Sequence, residues 1–158
     1  MPLMPQKEQT AMITEFDFRN VPAGYQLCFN SECPKKDECL RYLAGQHLSD
    51  NNDWGPAIYP NIKIGEKGCR FYRTEQPKRM AWGFDKLFEE VKRKHSSILH
   101  NALHVYLNSK SNYYRYHHGE LLLSPKQQEW IIKLFKKYGY TENLEFDHYV
   151  YAYDFFHT

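Results

Sequence analysis

A chain of 158 residues has room for one domain or two small ones. Its apolar share of 42% is enough to build a core, and no stretch reaches the roughly 18 apolar residues that a membrane span needs. The net charge of +2 excludes no class of partner, but its distribution is uneven. Residues 1–69 carry 7 basic and 9 acidic side chains, residues 70–140 carry 14 and 6, and residues 141–158 carry none and 4. A basic middle between acidic ends points to an anionic partner, or to helices that solvate themselves with lysine.

In chain order, residues 1–14 read as a flexible start. They show no apolar run and no small-residue cleavage site, so a cytoplasmic location is expected. Phe16 and Phe18 alternate with charged residues, as in a short strand. Pro22, Ala23 and Gly24 mark a turn. Asp37 to Ala44 can form a short helix with Cys39 in its first turn. Residues 45–68 read as a loop, with an extended piece at Ile58 to Ile64. A loop this long needs something to tie its ends. Met80, Phe84, Leu87, Phe88 and Val91 fall on one face of a helix over 78–94. Ser96 or Ser97 can cap a second helix to about Leu107, with Ile98, Leu99, Ala102, Leu103 and Tyr106 inward. Ser109 caps a third, short helix that Gly119 ends. Ser124, Pro125 and Gln127 are a cap, a first-turn proline and a capping-box glutamine. They open a fourth helix to about Tyr138, burying Trp130 or Ile131 with Leu134 and Phe135. The tail from Thr141 is acidic and aromatic, a strand or irregular segment packing on the body.

The four cysteines, Cys28, Cys33, Cys39 and Cys69, follow C-x4-C-x5-C-x29-C and use every cysteine in the chain. Four thiolates fill one tetrahedral zinc site, and Lys35, Lys36 and Arg41 beside them favour the thiolate form. An iron–sulfur cluster takes the same four ligands at irregular spacing. Core cysteines without a metal are the plain alternative. His47 is a second choice for the ligand assigned to Cys69. Cys69 in the same site would close the loop 45–68.

The stretch Ile98 to Gly119 reads as a helix-turn-helix. Lys110, Ser111, Asn112 and Arg115 would meet phosphates or base edges, helped by Lys92, Arg93 and Lys94. The segment SKSNYYRYHHG resembles the recognition helix of the Cro and phage-repressor family at Ser109, Lys110, Ser111, Asn112, Arg115 and Gly119. It departs from that family at Leu107, where a Gly is usual, and at Ala102, one place off. Across residues 14–155, LCFNSECPKKDECLRYLA, CRFYR, RMAWGF and SNYYRYHHGELLLSPKQQEWI together resemble an uncharacterised family of small bacterial proteins of unknown function. That resemblance implies a cysteine-bearing front and a helical back, and no activity.

The expected fold is α+β, mainly α. A small cysteine-rich subdomain (15–76) would pack on a helical bundle (77–140) containing the helix-turn-helix-like pair, with the tail (141–158) folding back. The expected function is a metal-stapled nucleic-acid-binding protein, a transcription regulator with DNA as partner and able to pair as a homodimer. The alternatives are an iron–sulfur or thiol redox sensor, or a protein-interaction module using the tail or the Tyr-rich helix. No Gly-rich phosphate loop or nucleophile motif appears, so no enzyme activity is expected.

Overall fold

The computed structural model describes residues 16–156. The start read as flexible, 1–14, lies outside the described residues. The chain divides into two compact units, one holding residues 78–151 and the other residues 16–77 with 152–156. The architecture is mixed α and β, with small two-stranded sheets. No helix among the described residues is long and apolar enough to cross a membrane.

The cysteine-bearing unit starts with a 3-10 turn at Phe18–Asn20, not the strand that alternation suggested. Asp17 explains the difference: its carboxylate accepts the backbone N–H of Arg19 at 2.9 Å and so caps the turn. Strand β1 (Leu27–Cys28) pairs in parallel with β2 (Ala57–Ile58), in register Leu27 to Ala57. Between them lie a 3-10 turn at Lys36–Glu38 and helix α1 (Leu40–Gln46). Cys39 stands at the N-cap of α1, one step before the first turn. Leu40 and Ala44 are fully buried. A Cβ on Gly45 would come within 2.6 Å of the Cys28 carbonyl oxygen, so only glycine lets α1 approach β1 this closely.

The helical unit corrects the expected helix over 78–94. The chain there forms strand β3 (Lys78–Trp82), a turn at Gly83, and the short helix α2 (Asp85–Phe88). Gly83 has φ +85°, and a Cβ on it would strike the Asp147 carboxylate at 2.6 Å. Asp147 in turn accepts the backbone N–H groups of Asp85 and Lys86 at 3.0 and 2.8 Å, capping α2. Met80, Phe84 and Leu87 still point inward, but from a strand, a turn and a helix.

Helix α3 (Arg93–Tyr106) starts before the serines expected to cap it. Lys92 is its N-cap, with no side-chain cap bond. The backbone N–H of Lys92 donates instead to the Tyr140 hydroxyl at 2.9 Å. Helix α4 (Lys110–His117) is capped by Ser109, whose hydroxyl accepts from the Asn112 N–H at 2.9 Å. Helix α5 (Pro125–Lys137) opens on a reciprocal Ser124–Gln127 capping box with proline in its first turn. Strand β4 (His148–Ala152) pairs with β3. The core is built on Phe84, Leu99, Leu103, Ile131, Phe135 and Phe146, each 0–1% exposed.

Candidate metal centre

All four cysteines line one cavity in the cysteine-bearing unit. They reach it from four backbone segments. Cys28 ends β1. Cys33 sits in a turn whose N–H donates to the Asn30 carbonyl at 3.2 Å. Cys39 caps α1 and bridges to Thr74. Cys69 opens a turn closed by the Tyr72 N–H on its carbonyl at 3.0 Å. None of the four is in a disulfide; Cys39 is buried and the others are half-buried. The space open to the centre of a water-sized sphere is about 20 Å³, room for one water or ion. Ile58, Ile62, Ile64 and Phe71 supply an apolar wall, and Lys35, Lys36 and Arg41 add positive charge.

The Cys28 thiol is pushed above its ordinary range chiefly by burial. The Asn30 N–H pulls it back, and Cys39, Cys33 and Cys69 push it up again. Cys28 therefore lies within electrostatic reach of the other three thiols. A tetrahedral zinc site needs sulfurs about 3.8 Å apart, from Zn–S bonds of about 2.3 Å. Among the described residues, the set that brings three ligand atoms within 4.8 Å of one another is Asp85, His117 and Asp147, not the cysteines. Four soft thiols around a one-ion cavity suit zinc in kind, and binding would draw the sulfurs inward.

Arg41 is the residue that sequence reasoning undervalued. It reads as a charge near thiolates, but it is only 7% exposed and acts as a strut. Its Nε donates to the Phe71 carbonyl at 2.7 Å and its Nη1 to the Gln26 carbonyl at 2.9 Å. Its guanidinium also lies 4.6 Å from the Tyr25 ring centre. One side chain thus ties together the segments carrying Cys28, Cys39 and Cys69. Beside it, the Leu40 N–H donates to the Arg73 carbonyl at 2.7 Å. His47, the alternative ligand, does not line the cavity. Its ring packs on Phe16 at 4.9 Å, and its Nδ1 sits 3.0 Å from the Leu43 carbonyl oxygen.

The Asp85, His117 and Asp147 atoms already serve the fold. Both Asp147 oxygens cap α2. His117 Nδ1 accepts the Phe84 N–H at 3.1 Å, which leaves the ring proton on Nε2, 3.7 Å from Asp85. A metal on that Nε2 would need the proton moved to Nδ1, against the Phe84 N–H.

The residues expected to contact nucleic acid fall into two groups. Lys92, Arg93 and Lys94 are exposed at the start of α3. Lys110, Ser111 and Arg115 are exposed on α4, beyond the other end of the 14-residue α3, ~21 Å away along its axis. Asn112 is committed to the turn, its Nδ2 donating to the Leu107 carbonyl at 3.0 Å. Arg115 faces Glu120 at 3.5 Å. Tyr113 is buried against Phe84, their rings stacked at 4.8 Å.

The chain belongs to the family of unknown function DUF6078, whose family model matches residues 12–155. No curated protein and no solved structure matches it.

Proposed function

We propose that the protein is a zinc-stapled nucleic-acid binder, with Cys28, Cys33, Cys39 and Cys69 as the zinc ligands. The observation that carries the staple is the shared cavity: four thiols from four segments converge on a space for one ion. An iron–sulfur cluster on the same four thiolates is the second reading, and iron with sulfide in the purified protein would select it. The zinc holds β1, α1 and the Cys69 turn together in a unit whose paired strands are two residues each. It has no open coordination position, so its role is structural. Metal analysis with a thiol count on protein purified without chelator tests it.

The nucleic-acid role rests on the exposed outer face of α4, which presents Lys110, Ser111 and Arg115 after a turn of Leu107, Asn108 and Ser109. Asn108 takes φ +73°, a left-handed conformation that reverses the chain sharply. Double-stranded DNA retention at low salt should weaken on replacing Lys110 or Arg115 by Ala. Each loss should flatten the salt dependence by about one phosphate contact. Unchanged retention in both variants removes α4 as the contact surface.

A further inference from the structure

An open groove of about 510 Å³ is lined by Asn101, Ala102, Val105 and Tyr106 from α3 and by Trp130 and Leu134 from α5. Val105 is 79% exposed and Trp130 40%. Ile98, on the same α3 face as Ala102 and Val105, is 48% exposed. Leu99, Leu103, Ile131 and Phe135 already fill the core side of these two helices. The groove residues are therefore a second apolar stripe, beyond what the fold buries. Tyr106 and Trp130 stack face to face at 3.7 Å and 6°, which makes a firm floor.

We propose that this groove docks an amphipathic acidic peptide segment of a partner protein. Charge identifies the occupant. The two helices carry six cations against the single acid Glu129, which Lys133 takes up at 2.8 Å. At helical spacing Lys94 shares the Ile98 side of α3, and Lys126 and Lys137 share the Trp130 and Leu134 side of α5. Apolar floor and basic flanks match a helix that presents apolar anchors at i, i+3 or i+4, and i+7 between acidic residues. A second copy of this chain fits worse, because a self-complementary contact here sets two basic helix pairs against each other. A nucleic-acid strand fits worse too: Ala102, Val105 and Leu134 are aliphatic, and the Tyr106 and Trp130 rings already face each other. The proposal is independent of the zinc staple.

The test titrates the full chain into a fluorescein-labelled peptide of roughly 16 residues with Leu and Phe at the anchor spacing and Glu elsewhere. The controls are a shuffled peptide of the same composition and a labelled oligothymidine. Fluorescence anisotropy should show saturable binding of the patterned peptide, at least about tenfold weaker for the shuffled one. Binding should weaken as salt rises from about 0.05 to 0.3 M. Val105→Glu, a change at an exposed position, should abolish it while circular dichroism stays unchanged, and Val105→Ala should weaken it about two- to tenfold. Equal binding of patterned and shuffled peptides overturns the proposal. So does retention by Val105→Glu, or binding of the oligonucleotide alone at this groove. A wild-type dimer in sedimentation that Val105→Glu dissociates assigns the groove to a second copy and overturns it as well.

Discussion

Arg41 makes two charge-assisted hydrogen bonds to the carbonyls of Gln26 and Phe71 from a buried position. Truncating it strands both acceptors and loosens three cysteine-bearing segments at once. Arg41→Met, which keeps the apolar stem, should destabilise the metal-free protein by about 2–4 kcal/mol in urea unfolding. Arg41→Lys should recover less than half, because a point charge cannot reproduce the two-pronged fork. Tyr113 belongs to the other unit. Burial, then Tyr114, Asp85 and Asp147, raise its hydroxyl well above the ordinary 10.0. Tyr25 is raised too, chiefly by burial, with Arg41 and Arg73 opposing. The folded chain therefore holds these protons more tightly than the unfolded chain does. That stability is complete below about pH 10 and is lost as pH climbs towards the raised values. Urea midpoints should be flat from about pH 7 to 9 and fall beyond about pH 10, and Tyr113→Phe should blunt the fall. An unchanged midpoint at pH 11 would count against a buried, protonated Tyr113.

Local hydrogen-bonding chemistry decided which elements were legible in the sequence. The Ser124–Gln127 box and the Ser109 cap are satisfied within their own helices, so α5 and α4 start where the residues indicate. Ser124→Ala leaves the Gln127 N–H without its cap and should cost about 1 kcal/mol in thermal or urea unfolding. The start of α3 is not legible locally, because its stabilising partner, the Tyr140 hydroxyl, is 48 residues away. The 78–94 segment misled for a related reason. Met80, Phe84 and Leu87 keep helical spacing, yet a strand followed by a tight turn also points them inward. Gly83 and the distant Asp147 cap decide between the two, and neither shows in a periodicity count. The apolar breadth of α3 is visible in the sequence, but the surplus beyond the core is not: Ile98 reads as inward, yet Leu99 and Leu103 fill the core and leave it half exposed.

At the scale of the whole molecule, the two units are stabilised in different ways. The helical unit has a continuous core of fully buried aromatic and aliphatic side chains. The cysteine-bearing unit has Leu40, Ala44 and a few partners, strands of two residues, and the Arg41 strut. Small cores of that kind need a staple. The cysteine spacing pointed to one site, and the cavity gathers those four residues. Arg41 was not legible as its organiser, because its acceptors are backbone carbonyls 15 and 30 residues away, which leave no mark in side-chain pattern. The most direct test of the staple is zinc content measured together with thiol reactivity, on full-length protein purified without chelator. About one zinc per chain is expected, with four thiols that stay unreactive until the metal is stripped or the chain unfolded. A metal-free protein with four thiols titrating in the native state, or iron with sulfide in place of zinc, would contradict it.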